Sequence, residues 1–79
     1  MRILYLASAG SSDATRASIP LHLAVNGSIE IGDEAGVVLA GDATVLLRPD
    51  VLEAIEGVGL PPLRDLFAKA RAHEVPVYV

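Results

Sequence analysis

The residues with the clearest chemical potential follow the first apolar run of the chain, RILYLA. The next segment, SAGSSDATR, supplies the hydroxyls of Ser8, Ser11 and Ser12, a flexible Gly10 and the amide groups of a helix start. Such a loop can hold phosphate, sulfate or a persulfide-type anion, because its donors can converge on one negative group. The alternative is an ordinary strand-to-helix turn capped by Ser12 or Asp13. The full glycine fingerprints of dinucleotide and P-loop sites are missing, so the motif alone does not decide.

Two further positions could complete such a site. Arg16, one turn inside the helix, could point back at a bound anion, or it could pair with Asp13 or with solvent. Asp42 follows Gly41 at the end of the second apolar run, where it could orient a ligand or cap the next helix. The sequence therefore predicts a ligand-binding set, which is Ser8, Gly10, Ser11, Ser12, Asp13, Arg16, Gly41 and Asp42.

No catalytic residue, metal site or cofactor is predicted, and whether the chain is an enzyme stays open. It has no cysteine, so it offers no disulfide, thiolate metal site or thiol nucleophile. His22 has no acid or nucleophile near it in sequence, which favours a helix-surface or interface position. His73 lies near a helix end, where the helix dipole favours it without any catalytic role.

Composition limits both the size and the partners of the protein. Its 79 residues make one domain at most, yet 52% are hydrophobic and the mean hydropathy is +0.48. This exceeds what so small a core needs, which indicates self-association or a larger whole. The net charge of −4 and six scattered basic residues argue against nucleic acid as a partner. No apolar run is long enough for a membrane span, so we expect a cytoplasmic protein.

Periodicity predicts the elements that position these residues. Three short apolar runs, RILYLA, AGVVLAGD and VPVYV, indicate buried strands. The segment PLRDLFAKARAHE is the clearest helix, with Leu63, Leu66, Phe67 and Ala70 on one face. Between the second and third strands, Asp42 can cap one short helix and Pro49 can open another.

The segment PLHLAVNGSIEIG is ambiguous. Asn26-Gly27 between alternating apolar residues is a strong hairpin signal, but the paired strands would have no single apolar face. On a helix, small and apolar residues from Ala17 to Gly32 form one stripe, with Asp13 or Ser12 at its start. Pro20 would strain the first turns of that helix. The pattern favours the helix.

The order strand, helix, strand, helices, strand predicts an α/β domain with a parallel sheet and right-handed crossovers. With helices on both faces, the strand order is 2-1-3, the opening half of a flavodoxin-like doubly wound sheet. Ligands then bind beyond the carboxyl ends of the strands, at the switch point between strands one and three.

The ordered segments resemble the DsrE/DsrF-like family of small α/β proteins. They are ILYLASAG, SSDATRA with Arg16, PLHLA, GDEAGVVLAGDATVLL, GLPPLRDLF and HEVPVYV, and they span nearly all of residues 1–79. The resemblance implies a flavodoxin-like fold, a helix at Asn26-Gly27, homotrimers or hexamers, and sulfur relay between donor and acceptor proteins.

In that family a cysteine just after the third strand carries the persulfide, whereas this sequence ends at Val79. The resemblance therefore implies a single DsrE-like domain over residues 1–79 that is incomplete at its C-terminus. Two other functions stay open: a non-catalytic module that binds a phosphorylated or anionic ligand at the loop after strand one, and a structural oligomer subunit.

Overall fold

The computed structural model describes residues 1–79, which form a three-stranded parallel sheet packed against helices. The elements in chain order are β1 (Arg2–Ala7), α1 (Ala14–Leu23), a π-helical segment (Ala24–Ser28), β2 (Glu34–Leu39), a 3₁₀ segment (Gly41–Val45), α2 (Pro49–Ala54), α3 (Leu63–Ala72) and β3 (Val77–Tyr78). The predicted α/β class with a parallel sheet is therefore confirmed. None of the helices has the length and apolarity that crossing a bilayer requires.

The strand order is β1-β2-β3, so the predicted order 2-1-3 is wrong. β1 pairs with β2 over its whole length, from Arg2 opposite Glu34 to Ala7 opposite Leu39. The short β3 pairs with the other side of β2, through Val77 opposite Val37 and its neighbour. β2 is the central strand, and because the order never reverses, the sheet has no switch point between strands one and three.

One face of the sheet carries the helices and the other is open, which corrects the expectation of helices on both faces. Both crossovers step in the same direction across the sheet, and crossovers of one hand then pass over the same face. The side chains of β1 record this asymmetry. Ala7 is buried and Tyr5 is half-buried on the helix face, whereas Leu4 and Leu6 on the open face are 64% and 66% exposed.

The core lies between β2 and the helices. Val37, in the middle of β2, is fully buried, and Leu39 and Ala35 flank it on the same face. The predicted apolar face of α3 is confirmed, since all four of its residues are buried; they are Leu63, Leu66, Phe67 and Ala70. Sixteen buried residues form a single cluster, so one core serves the whole chain.

The segment around Asn26-Gly27 is helical, as the pattern favoured, and not a hairpin. Asp13 caps α1 by accepting a hydrogen bond from the amide of Arg16 at 3.0 Å. Pro20 lies inside α1, where its missing N–H removes one helical hydrogen bond. The helix continues as the π-helical segment and stops near Gly32, whose φ of 84° suits glycine.

A tertiary contact holds the π-helical segment in place. Lys69 of α3 donates a hydrogen bond from Nζ to Asn26 Oδ1 at 2.6 Å, and it also binds the carboxylate of Glu30. The side-chain amide of Asn26 in turn contacts His22 Nδ1 at 3.2 Å. His22 is therefore held on the helix by its contact with Asn26.

The connection after β2 differs from the prediction in one respect. Asp42 does not cap a helix, because Ala40 precedes the 3₁₀ segment and Asp42 lies in its first turn. Thr44 Oγ1 instead donates to the carbonyl oxygen of Gly41 at 2.9 Å. The expectation that Pro49 opens a second helix is confirmed by its place at the start of α2. The Asp42 carboxylate is thus left without a capping role.

Replacing Val37 by alanine tests the central position of β2. The change removes two buried carbons, at about 0.8 kcal/mol each, and leaves a cavity at a fully buried site. We expect the free energy of unfolding in urea to fall by about 2 kcal/mol. Val58→Ala is the matched control, because Val58 is 86% exposed and its truncation should change stability by less than about 0.5 kcal/mol. Equal effects of the two changes would contradict this account of the core.

The contact between Lys69 and Glu30 predicts a pH dependence. The hydrogen bond and positive charge of Lys69 lower the pKa of Glu30 from its ordinary value of 4.5. A carboxylate whose pKa is lowered by folding contributes stability above its ordinary pKa, and that contribution is lost as the pH falls below it. Glu30→Gln should therefore destabilise the protein near neutral pH, by an amount that shrinks toward zero in acid.

The measurement is urea unfolding of the parent and the Glu30→Gln chain between about pH 3 and pH 7. Glu56→Gln is the control, because Glu56 is exposed and forms no ion pair in the structure. A stability difference for Glu30→Gln that stays constant over this range would rule out the ionic contribution of Glu30.

Candidate functional site

The loops after β1 and β2 touch at the carboxyl end of the sheet. A Cβ atom added to Gly10 would lie 2.4 Å from the carbonyl oxygen of Asp42, closer than side-chain carbons approach a backbone atom. Gly10 is therefore required for the contact, because any larger residue would push the loops apart. Parallel pairing of β1 with β2 brings the two loops to the same edge, since both strands end there.

The two loops and the first turns of α1 enclose a crevice of about 430 Å³. Six of the eight predicted site residues line it, namely Ser8, Gly10, Ser12, Asp13, Arg16 and Asp42. Ser11 and Gly41 are exposed and do not line the crevice. The predicted position of the site between strands one and three is wrong, because β3 lies on the far side of β2 and the crevice is bounded by the loops of the neighbouring strands β1 and β2.

The loop after β1 presents many unused hydrogen-bond donors. Of the backbone amides from Ser8 through Thr15, only that of Asp13 donates to a protein acceptor, the carbonyl oxygen of Gly10 at 3.2 Å. The hydroxyls of Ser8 and Ser12 form no hydrogen bond within the protein. Amides in such a loop, together with the start of α1, form a region of positive potential that is suited to an anion.

The charged side chains of the crevice differ in whether they already have a partner within the protein. The Asp13 carboxylate accepts from the Arg16 amide at 3.0 Å and lies 3.6 Å from Arg16 Nε, so it is already engaged by the protein. The Asp42 carboxylate has no hydrogen bond or ion pair and is exposed at the crevice. Arg16 is 79% exposed at its side chain, and it is the cation of the crevice. The site thus combines one exposed cation, amides with no protein acceptor and one carboxylate with no protein partner.

Sequence reasoning missed the apolar wall of the crevice. Leu6 of β1 and the second turn of α1, through Ile19 and Pro20, line it beside Arg16. Ile19 and Pro20 follow Arg16 by three and four positions, which places them on the same side of a helix. That spacing could have identified them once Arg16 was proposed as a ligand-binding residue.

A second, wider depression of about 690 Å³ lies at the amino ends of the strands and on the open face of the sheet. Its lining includes Arg2, Leu4, Gly36, His73 and Tyr78. Ligands of parallel α/β sheets bind beyond the carboxyl ends of the strands, so the crevice is the better candidate for a small-molecule site. The structure contains no group of three or more side chains arranged to hold a metal ion.

Comparisons with known proteins do not assign this chain. No family model, no curated protein and no solved structure matches it. The site must therefore be judged on its own geometry.

Gly10→Ala should separate the two loops, because the added methyl group would overlap the backbone of Asp42. We expect a loss of about 1–3 kcal/mol in the free energy of unfolding, the usual cost of overpacking. Gly27→Ala is the matched control, since a Cβ there meets nothing within 4 Å and alanine favours the helix. If Gly10→Ala proves as stable as Gly27→Ala, the tight contact between the loops is not a feature of the protein.

Proposed function

We propose that this chain is a small-molecule-binding module, whose crevice holds an anionic group at the loop after β1. The observation that carries this proposal is that the backbone amides from Ser8 to Thr15, apart from that of Asp13, donate to no protein acceptor. This segment leads into the start of α1. Arg16 supplies the positive charge, and the hydroxyls of Ser8 and Ser12 supply further donors beside it. A phosphate or sulfate group matches this set of donors.

The free carboxylate of Asp42 narrows the class of ligand. A carboxylate close to a bound anion repels it, unless the ligand also carries a hydroxyl or amine that donates to the carboxylate. Asp42 lines the same crevice as Arg16 and Ser8, so one ligand can contact Asp42 while its anionic group lies near Arg16 and Ser8. Small phosphorylated or sulfated compounds that also bear hydroxyl groups, such as sugar phosphates, therefore fit better than an inorganic anion.

The DsrE-like assignment stays a hypothesis, supported by the ordered set of segments from ILYLASAG to HEVPVYV. It would add a cytoplasmic location, a homotrimer or hexamer, and sulfur donor or acceptor proteins as partners, whereas the flavodoxin-like strand order that it also implied differs from the observed order β1-β2-β3. No cysteine occurs among the 79 residues, so in a sulfur relay these residues would receive the persulfide anion of another thiol. The same amides and Arg16 that suit a sulfate would suit that anion.

Anion binding is tested by titrating the ¹⁵N-labelled chain with inorganic phosphate and with sulfate, and following the backbone amide resonances. We expect the largest shifts between Ser8 and Thr15. Arg16→Gln should weaken binding about tenfold or more, because a hydrogen bond to a charged group contributes about 1.5–3 kcal/mol. Arg48→Gln is the control, since Arg48 is exposed and pairs with Asp50 outside the crevice. Unchanged affinity in Arg16→Gln, or shifts distributed over the whole chain, would refute the proposed site.

Asp42→Asn tests whether hydroxyl groups of the ligand donate hydrogen bonds to the Asp42 carboxylate. For inorganic phosphate we expect tighter binding, because the substitution removes a nearby negative charge. For a ribose phosphate we expect a smaller gain or a loss, because the amide accepts hydrogen bonds from the hydroxyls less strongly than the carboxylate does. Equal changes for both ligands would show that Asp42 acts only through its charge and does not bind the hydroxyl groups.

A further inference from the structure

The open face of the sheet is an apolar surface that the chain leaves uncovered. Leu4 and Leu6 from β1 are 64% and 66% exposed, and Tyr78 from β3 is 54% exposed. Between them β2 presents Val38 and Gly36, and the Leu4 side chain of the same chain packs over Gly36, with its Cδ1 atom 3.3 Å from the position of a Cβ. Small monomeric proteins rarely expose a contiguous group of large apolar side chains, so a surface of this kind marks an interaction site.

The arrangement of residues on this face is self-complementary. The cross-strand pairs are Arg2 with Glu34, Leu4 with Gly36, and Leu6 with Val38, so each β1 residue lies beside a β2 residue of opposite charge or different size. A twofold axis parallel to the strands, passing between β1 and β2, places each β1 residue over the matching β2 residue of a second copy. Leu4 of one copy then packs beside Leu4 of the other over the two Gly36 residues, and Arg2 faces Glu34 in both directions across the axis.

The charges agree with this symmetry. Arg2 and Glu34 are exposed at 84% and 72% of their side chains and lie 2.9 Å apart, at the amino end of the open face. An ion pair so exposed contributes little to the stability of a single chain. In the twofold arrangement, two arginines and two glutamates alternate around the axis. Each charged side chain therefore has side chains of opposite charge as its nearest charged neighbours.

We propose that the open face of the sheet is a homodimer interface, with two copies packed sheet on sheet about a twofold axis parallel to their strands. The depression of about 690 Å³ on this face, which Leu4, Gly36 and Tyr78 line, accepts the apolar side chains of the second copy. Packed sheets lie about 10 Å apart with their strands nearly aligned, which this axis permits. The proposal rests on the open face and not on ligand binding in the crevice, although Leu6 borders both.

The small area of the face limits the affinity of the dimer. Only β1 and β2, each of six residues, overlap the second copy about this axis. They cover roughly 10 by 20 Å, an area well below the roughly 800 Å² that each partner buries in a standard stable interface. We therefore expect a concentration-dependent equilibrium with a dissociation constant on the order of ten micromolar. Sedimentation velocity over a wide concentration range measures it directly.

The first test places a charge in the apolar part of the interface. Leu4→Lys should weaken the dimer at least about tenfold, because the ammonium group would be buried without a partner. Val58→Lys is the matched control, since Val58 is also an exposed apolar residue but lies outside the sheet. The sites are exposed in the single chain, so both variants keep the fold, which circular dichroism checks. Equal dimerisation of the two variants overturns the proposal.

The second test exchanges charges between two chains. Arg2→Glu gives a face with two glutamates, and Glu34→Arg gives a face with two arginines, so each variant alone should stay monomeric. Mixed in equal amounts they should form a heterodimer, because the negative face of one meets the positive face of the other. A mixture that stays monomeric while the parent dimerises overturns the twofold arrangement. A parent chain that is monomeric at high micromolar concentration, or that forms a trimer, overturns the proposal altogether.

Discussion

A parallel strand can be reached from its neighbour only through a crossover that passes over one face of the sheet. This chain makes two such crossovers in the same direction, from β1 to β2 and from β2 to β3. Crossovers of one hand then deliver α1 and α3 to the same side, where they cover the fully buried Val37. The direction of the second step thus decides which surfaces are core and which stay open. Had the second step reversed, α3 would cover Leu4 and Leu6.

The parallel pairing of β1 with β2 also determines where the crevice lies. Because β1 and β2 are neighbours and parallel, their loops meet at one edge, and Gly10 lets the backbones come into contact. The cap of α1 follows directly, since Asp13 closes the turn that begins at Gly10. The unused amides of this loop are a consequence of a tight strand-to-helix connection that pairs with no other segment. Position in the fold, more than any motif, therefore makes these residues a candidate site.

The individual elements could be predicted from local patterns, but the strand order could not. The face of α3 follows from apolar spacing, and Asn26-Gly27 is helical, as its stripe of small and apolar residues predicted, with Lys69 of α3 hydrogen-bonded to Asn26 from across the fold. No local pattern contains that contact. Strand order depends on whether the two residues of β3 join the free edge of β2 or the free edge of β1, and a strand so short carries little pairing information. Most of the crevice was predictable because its residues follow strands whose carboxyl ends coincide in either order.

The charges of the crevice determine what kind of ligand can enter. Arg16 is held by Asp13 at 3.6 Å in an exposed pair, and such a pair contributes at most about 1 kcal/mol. An incoming phosphate can therefore take Arg16 away from Asp13 at small cost, while Asp13 keeps its hydrogen bond to the helix amide. Asp42 has no such partner, so an anion gains more from the site when another part of the same ligand donates to that carboxylate. In the proposed function, molecules with both an anionic end and a hydrogen-bond-donating end therefore bind more tightly than simple anions.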